Sequence, residues 1–315
     1  MTLVQLQYIV ALDIYRSFVA AAEACHVSQP ALTTQIKRLE SQLGVILFDR
    51  SKKPVIPTSI GVQIIEQARF VLQESQKIRD LIRDFEAEMS GELRLGIIPT
   101  VAPYLLPLFV NDFNQNYPQV GLSINEEKTE SIIQDLRNGD LDAGIIATPV
   151  NSKGIKTFPL FYEQLYAYVS EGHRLTDEKS ICALKIDPTE LLLLKEGNCF
   201  RNQVINICQD KQNSDEFTAF FYQSNSIESL KRIVDSRDAI TIIPELATLV
   251  LPDNKRMRVK PFNDCSPVRE ISLVVSRSFL KKRLLESLMQ SIRAGVPEGM
   301  KQIGEGQLIN TELQA

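Results

Sequence analysis

The sequence predicts an all-α winged helix-turn-helix domain, one long helix, and an α/β body on a mostly parallel, doubly wound sheet. Three patterns carry this. Short apolar-periodic helices fill the chain up to Gly44, the last of them opened by Ser28-Gln29-Pro30. A seam of apolar residues at heptad spacing follows. Beyond Gly91, apolar strands alternate with amphipathic helices.

Leu3, Leu6, Ile9 and Val10 mark the first helix, and the Ala-rich run Phe18–Cys25 the second. His26-Val27 makes a tight connection. Ser28 is a good N-cap type, Pro30 is tolerated in a first turn, and Gly44 stops the third helix. Two helices joined by a short turn, the second polar outside, form a helix-turn-helix. Gln29, Thr33, Thr34 and Gln35 would touch base edges, Lys37 and Arg38 suit phosphates, and Ser28 and Pro30 at the helix start belong to the same DNA-binding set. Leu47–Pro57 reads as a wing whose Arg50, Lys52 and Lys53 would meet the DNA backbone. A solvated polar face has the same composition, so periodicity alone leaves both readings open.

Thr58 caps a helix expected to run to about Met89. Ile64, Ala68, Val71, Ser75, Ile78, Ile82, Phe85 and Met89 recur at alternating steps of four and three. Such a seam packs either on its own domain or on a second copy of the same helix, and the second is preferred. Ser90-Gly91 ends it. Strands then follow at 93–98, 120–126, 141–147, 165–169, 191–194, 218–222, 239–244 and 271–275. Helices fall at 103–116, 131–138, 226–235 and 281–293.

Within this body, Leu191–Asp210 carries the chemistry. Four leucines read as a buried strand, Gly197 breaks it, and Asn198 caps a helix that places Cys199 in its first turn. The helix N-terminus and Arg201 would both favour thiolate. Cys208 comes nine residues later. Over nine residues a helix rises about 13.5 Å, beyond the roughly 4.4–6.8 Å Cα separation of a disulfide. The two sulfurs cannot meet while that helix stands. By spacing alone, two ordinary core cysteines are the favoured reading.

Composition sets the bounds. The 315 residues suffice for two or three domains, and 44% are hydrophobic without a long uncharged span. The first residues lack a basic, cleavable leader, which argues against a periplasmic solute-binding protein. Five cysteines fit a reducing, cytoplasmic setting, and no His/Cys spacing suggests a metal. Six basic side chains against four acidic ones give residues 1–62 a net +2, leaving −6 of the total −4 for the rest.

The Ala-rich helix, the turn, Ser28-Gln29-Pro30 and the pattern from Gly44-Val45 through Leu47-Phe48 to Arg50 together resemble the DNA-binding domain of LysR-type transcriptional regulators. Glu196–Gln203 followed by Cys208 resembles the redox segment of that family's peroxide-sensing OxyR branch, with Asn198 where many members have His and Asn202 where they often have Asp. The resemblance covers nearly the whole chain. It implies a DNA-binding domain at 1–58, a dimerisation helix at 59–90 with Ile64, Ala68, Val71, Ile78, Ile82 and Phe85 at its seam, and a regulatory domain at 91–300. That domain would have two lobes, 91–162 with 268–300 and 163–267, joined by two crossing strands, and a loose tail at 301–315.

The resemblance also implies that Cys199 is oxidised by hydrogen peroxide and then bonds to Cys208. Thr100, Thr129, Asn198 and Arg269 would line the peroxide pocket. Helix N-capping is the other role open to each threonine, and a surface charge to Arg269. The implied partners are double-stranded DNA, further copies in a dimer or tetramer, and RNA polymerase, with no cofactor and no membrane. The leading expectation is a peroxide-sensing transcriptional activator. The alternatives are a regulator answering a small organic effector between the lobes, and a thiol peroxidase.

Overall fold

The computed structural model describes residues 1–85, 89–150, 152–208, 224–277, 281–304 and 306–309, with side chains 73, 77 and 79–85 also outside the description. The expected strand at 218–222 therefore lies outside the described residues. The chain divides into two compact units, residues 1–88 and 89–315.

In the first unit α1 (Leu3–Tyr15), α2 (Phe18–Ala24) and α3 (Gln29–Leu43) each begin at a side-chain cap: Thr2 with Gln5, Ser17, and Ser28. Leu6, Ile9, Leu12, Leu32, Ile36 and Leu39 form the core. The antiparallel pair β1 (Phe48–Asp49) and β2 (Ile56–Pro57) makes the wing. Glu40 ties it to α3, accepting from the Leu47 and Phe48 amides and pairing with Arg50 at 2.5 Å. Helix α4 (Ser59–Phe85) starts where Thr58 Oγ1 accepts from the Gly61 amide at 3.0 Å.

The seam on α4 differs from the expected one. Ala68 is buried with Ile65 in the core of this unit, and Ile64 packs against it. Val71 and Ile78 are exposed, as is Ile60. Ile64, Val71 and Ile78 of the expected seam lie at heptad steps along one side with Ile60, and Ala68 is the member withdrawn from it. The reason is that α1 already covers the face carrying Ala68. The side chains of Ile82 and Phe85 lie outside the description.

Among the described residues the second unit holds one nine-stranded sheet in the order β4 (Val120–Glu126), β3 (Gly91–Ile97), β5 (Ala143–Thr148), β10 (Pro267–Ser276), β6 (Ile155–Val169), β8 (Ile240–Pro244), β7 (Leu191–Leu192), with β11 (Gln307–Leu308) beside β10 and β9 (Val259–Lys260) beside β6. Strands β3 (Gly91–Ile97), β4 (Val120–Glu126) and β5 (Ala143–Thr148) run parallel, linked by α5 (Ala102–Asn116) and α6 (Thr129–Asn138). Strand β6 (Ile155–Val169) is far longer than its apolar run suggested. Its first part pairs with β10 and its last five residues with β8. Strand β7 (Leu191–Leu192), α7 (Cys199–Ile207), α8 (Ile227–Ser236), β8 (Ile240–Pro244), α9 (Glu245–Leu249), α10 (Asp253–Arg256) and β9 (Val259–Lys260) complete the far half.

Strand β10 (Pro267–Ser276) returns antiparallel to both β5 and β6, followed by α11 (Lys282–Gly295). The tail is not entirely loose, because β11 (Gln307–Leu308) pairs with Pro267 and Val268. The unit's core is contiguous. Leu95, Ile97, Ile145, Phe161, Tyr168, Ile242 and Leu273 all belong to one cluster that spans both halves.

Alanine normally improves a helix interior over glycine. At Gly61 a Cβ would fall 2.1 Å from the Leu47 carbonyl oxygen. Gly61→Ala is therefore expected to destabilise the protein by about 1–3 kcal/mol, read as a lower denaturation midpoint by circular dichroism.

Candidate functional site: a buried thiol pocket

Gly197 adopts φ +76°, a conformation open to glycine, and turns the chain out of β7's loop. Asn198 then caps α7, its Oδ1 accepting from the Phe200 amide at 3.0 Å. This puts Cys199 at the helix's first position, 6% exposed, with Cys208 at the opposite C-cap. All five cysteines are free thiols. The sulfurs thus sit at the two ends of an intact helix.

Around Cys199 the chain gathers polar groups from distant strand ends. Thr129 Oγ1 lies 3.1 Å from Sγ. Arg269 on β10 is wholly buried, not at the surface. Its Nη1 donates to Thr100 Oγ1 at 3.1 Å and its Nη2 to the Thr100 carbonyl at 3.2 Å. The other edge of the guanidinium forks onto Glu163 Oε1, with Nε at 2.7 Å and Nη2 at 2.7 Å. Its face lies 4.8 Å from the Phe200 ring centre. Cys199, Thr100, Thr129, Phe200 and Arg269 line a partly open pocket of about 300 Å³ including its mouth, together with Lys128 and Asn198.

Neither threonine is an N-cap. Val101 holds that position on α5 and Lys128 on α6. Thr100 and Thr129 are both buried, so their hydroxyls face the pocket network rather than a helix end.

The thiol is held protonated more firmly than the sequence suggested. Burial raises the Cys199 pKa, and the Glu130 charge adds to this. Thr129's hydrogen bond, the Cys199 amide and the Arg269 charge pull the other way. Arg201 does not reach the sulfur, because its Nη1 donates to the Leu194 carbonyl. Burial pushes Cys208 up to about 12, helped by Cys265 and Asp264. Cys182 donates to Asp264 at 3.0 Å.

The sequence reading passed over Glu163, Lys128 and Phe200. A lone Glu inside the aromatic run Phe161–Tyr168 was the available signal, since a carboxylate amid core residues calls for a buried cation. Gln203 was also passed over. Both its amide atoms are buried with no hydrogen bond among the described residues, on the helix that separates the sulfurs.

On α3, Gln29, Pro30, Thr34, Lys37 and Arg38 are exposed, and Ser28 caps the helix beside them. Two residues of the expected contact set are also engaged within the unit itself. The Thr33 hydroxyl is buried because its position borders the core face. Arg50 pairs with Glu40 and lies over the Phe18 ring, which secures the wing, and it stays exposed. Lys52 and Lys53 stand exposed at the wing tip. Among the described residues no group of three or more His, Cys, Asp or Glu is placed to hold a metal. No helix among them is long and apolar enough to cross a membrane.

Residues 3–62 match the bacterial regulatory helix-turn-helix protein, lysR family, and residues 86–297 the LysR substrate binding domain. The chain is 33% identical over 309 residues to the hydrogen peroxide-inducible genes activator of Haemophilus influenzae, covering 97% of this chain and 99% of that one. It is 35% identical over 296 residues to the DNA-binding transcriptional dual regulator OxyR of Escherichia coli K12, covering 93% and 95%. The fold matches a cysteine-to-aspartate variant of full-length OxyR from Pseudomonas aeruginosa with a TM-score of 0.80 at 35% identity, over 98% of this chain and 99% of that one. It also matches a hydrogen-peroxide-bound cysteine variant of Corynebacterium glutamicum OxyR with a TM-score of 0.61 at 26% identity, over 93% and 92%.

Thr129→Val keeps shape and removes the hydrogen bond that favours the thiolate. The pH midpoint for iodoacetamide alkylation of Cys199 is expected to rise by about one unit, measured on the Cys199 peptide by mass spectrometry.

Proposed function

The chain belongs to the LysR family of bacterial transcriptional regulators, and from that premise we infer that it is a sequence-specific DNA-binding regulator that senses hydrogen peroxide through Cys199 and Cys208. One observation carries the reading. A buried thiol sits among Thr129, Thr100 and Arg269 in a small pocket, while its candidate partner thiol is held at the far end of the same helix.

The chemistry follows from the contacts. Cys199 reacts as thiolate, with the Thr129 hydroxyl donating to it. It attacks one peroxide oxygen, forming an S–O bond as the O–O bond breaks. The second oxygen leaves as hydroxide and takes up a proton to become water. Thr100 and Arg269 supply donors toward the departing oxygen. The resulting sulfenic acid is attacked by the Cys208 thiolate, which releases hydroxide and forms the disulfide. The protein ends oxidised by two electrons and the peroxide reduced to two waters.

That bond requires α7 to open. The helix is built to do so at modest cost. It is nine residues long, shorter than a helix needs to hold on its own. Opening releases Phe200 from the Arg269 guanidinium, so the state of α7 is felt where β6 and β10 cross.

The sensor works as a dimer or higher oligomer. Pairing uses the stripe of Ile60, Ile64, Val71 and Ile78, and DNA contact uses Ser28, Gln29, Pro30, Thr34, Lys37, Arg38, Lys52 and Lys53. RNA polymerase is its downstream partner, and its place is the cytosol with the DNA. A small organic effector is the weaker reading. The space beside Cys199 admits little more than a water-sized molecule, well short of what such ligands fill. The protein is spent stoichiometrically, unlike a thiol peroxidase.

Cys199→Ser is expected to abolish peroxide-dependent transcription and keep operator binding, checked by reporter assay and gel shift. Retained induction would overturn the sensor reading. Val71→Glu with Ile78→Glu is expected to weaken self-association at least tenfold by analytical ultracentrifugation, leaving the melting temperature within a few degrees. Ala68→Glu is expected instead to unfold the first unit.

A further inference from the structure

Glu163 and Arg269 face each other in register on the two strands that pass between the halves of the sheet. Glu163 is 1% exposed and Arg269 not exposed at all. One carboxylate oxygen takes Nε and Nη2 of the guanidinium, and the other takes the Leu246 amide at the start of α9. Glu163 touches neither the pocket nor the sulfur. Everything it does there passes through Arg269.

Two consequences follow from this geometry. The fork fixes the guanidinium plane, so Nη1 points at the Thr100 hydroxyl. The carboxylate also cancels a full positive charge close to a thiol. An uncancelled guanidinium in a low-dielectric site would draw the sulfur toward thiolate. A thiolate that is permanently formed would react with oxidants and alkylators at rest.

We propose that Glu163 is a positioning residue for the thiol chemistry: it aims Arg269 at Thr100 and cancels its charge, so the pocket meets a peroxide with aimed hydrogen-bond donors while Cys199 rests as thiol. This rests on the reading of Cys199 as the peroxide-reactive group. The other charges around the sulfur are placed as follows. Glu130 stands on α6 and Lys128 at its N-cap, the latter with its ammonium beside Gly197. Arg201 on α7 is committed to the Leu194 carbonyl. Tyr104 on α5 donates to Glu228 of α8, which also takes Lys231. None of these contacts the buried edge of Arg269 that Glu163 occupies.

The test uses the full-length protein and two variants, following the Cys199 peptide by mass spectrometry. Glu163→Gln keeps shape and removes the charge. Its pH midpoint for iodoacetamide alkylation is expected to fall by about one unit, with several-fold faster alkylation at pH 7. Glu163→Asp keeps the charge, is one methylene shorter and draws the guanidinium off Thr100. Its alkylation midpoint is expected to hold while peroxide oxidation slows at least several-fold.

An unchanged midpoint in Glu163→Gln overturns the proposal, and so does wild-type peroxide oxidation in Glu163→Asp. A merely structural role would lower the melting temperature and move neither. Should Glu163→Gln fail to fold, the Glu163→Asp rates decide alone. A parent protein whose Cys199 alkylates normally but resists peroxide overturns the sensor reading, and the alkylation profiles still judge Glu163.

Discussion

The second unit depends on one buried ion pair, Glu163 with Arg269. Two charges taken fully out of water cost several kcal/mol each, and the pair survives because nearly every remaining lone pair and proton is also bonded. Thr100 holds one edge of the guanidinium, the Leu246 amide holds the free carboxylate oxygen, and Phe200 covers the face. The pair stands where β6 changes partners from β10 to β8. A single interaction therefore joins the two halves of the sheet, the floor of the thiol pocket and the first turn of α7.

Around that anchor the site is assembled from weak elements. Helix α7 is short, is capped by one Asn side chain, and carries an amide with no hydrogen bond among the described residues. Strongly held chemistry next to a marginal helix is the arrangement a switch needs. The rigid part sets which molecule reacts, and the marginal part is what the reaction can rearrange. The thiols follow the same logic. Both are pushed upward by burial, so reactivity comes from local donors and not from a bare thiolate.

The first unit shows a comparable division of labour among charges. Arg50 and Glu40 fasten the wing to α3, while Lys37, Arg38, Lys52 and Lys53 stand exposed. An Arg with a carboxylate and an aromatic ring is a structural part, and a Lys on an exposed tip is not. The α4 helix divides by face. Its Ile65 and Ala68 close the domain core, and its next stripe around the helix stays open along Ile60, Val71 and Ile78.

Periodicity and end signals were enough to read α3 from Gln29 to Leu43 and the start of α7 at Cys199, because caps and glycine stops act locally. Ser28, Gly44, Gly197 and Asn198 do in space what their side chains favour in isolation. The alternating strands and helices of the second unit were legible for the same reason, as was the separation of Cys199 from Cys208. What the sequence could not determine depends on groups far apart in the chain. Glu163 meets Arg269 across 106 positions, and Thr129 meets Cys199 across 70. Whether Arg269 is buried, whether Ala68 faces inward, and whether the thiol is pushed up or down turn on which surfaces lose their water. Desolvation belongs to the packed whole, so only the tertiary structure decided them.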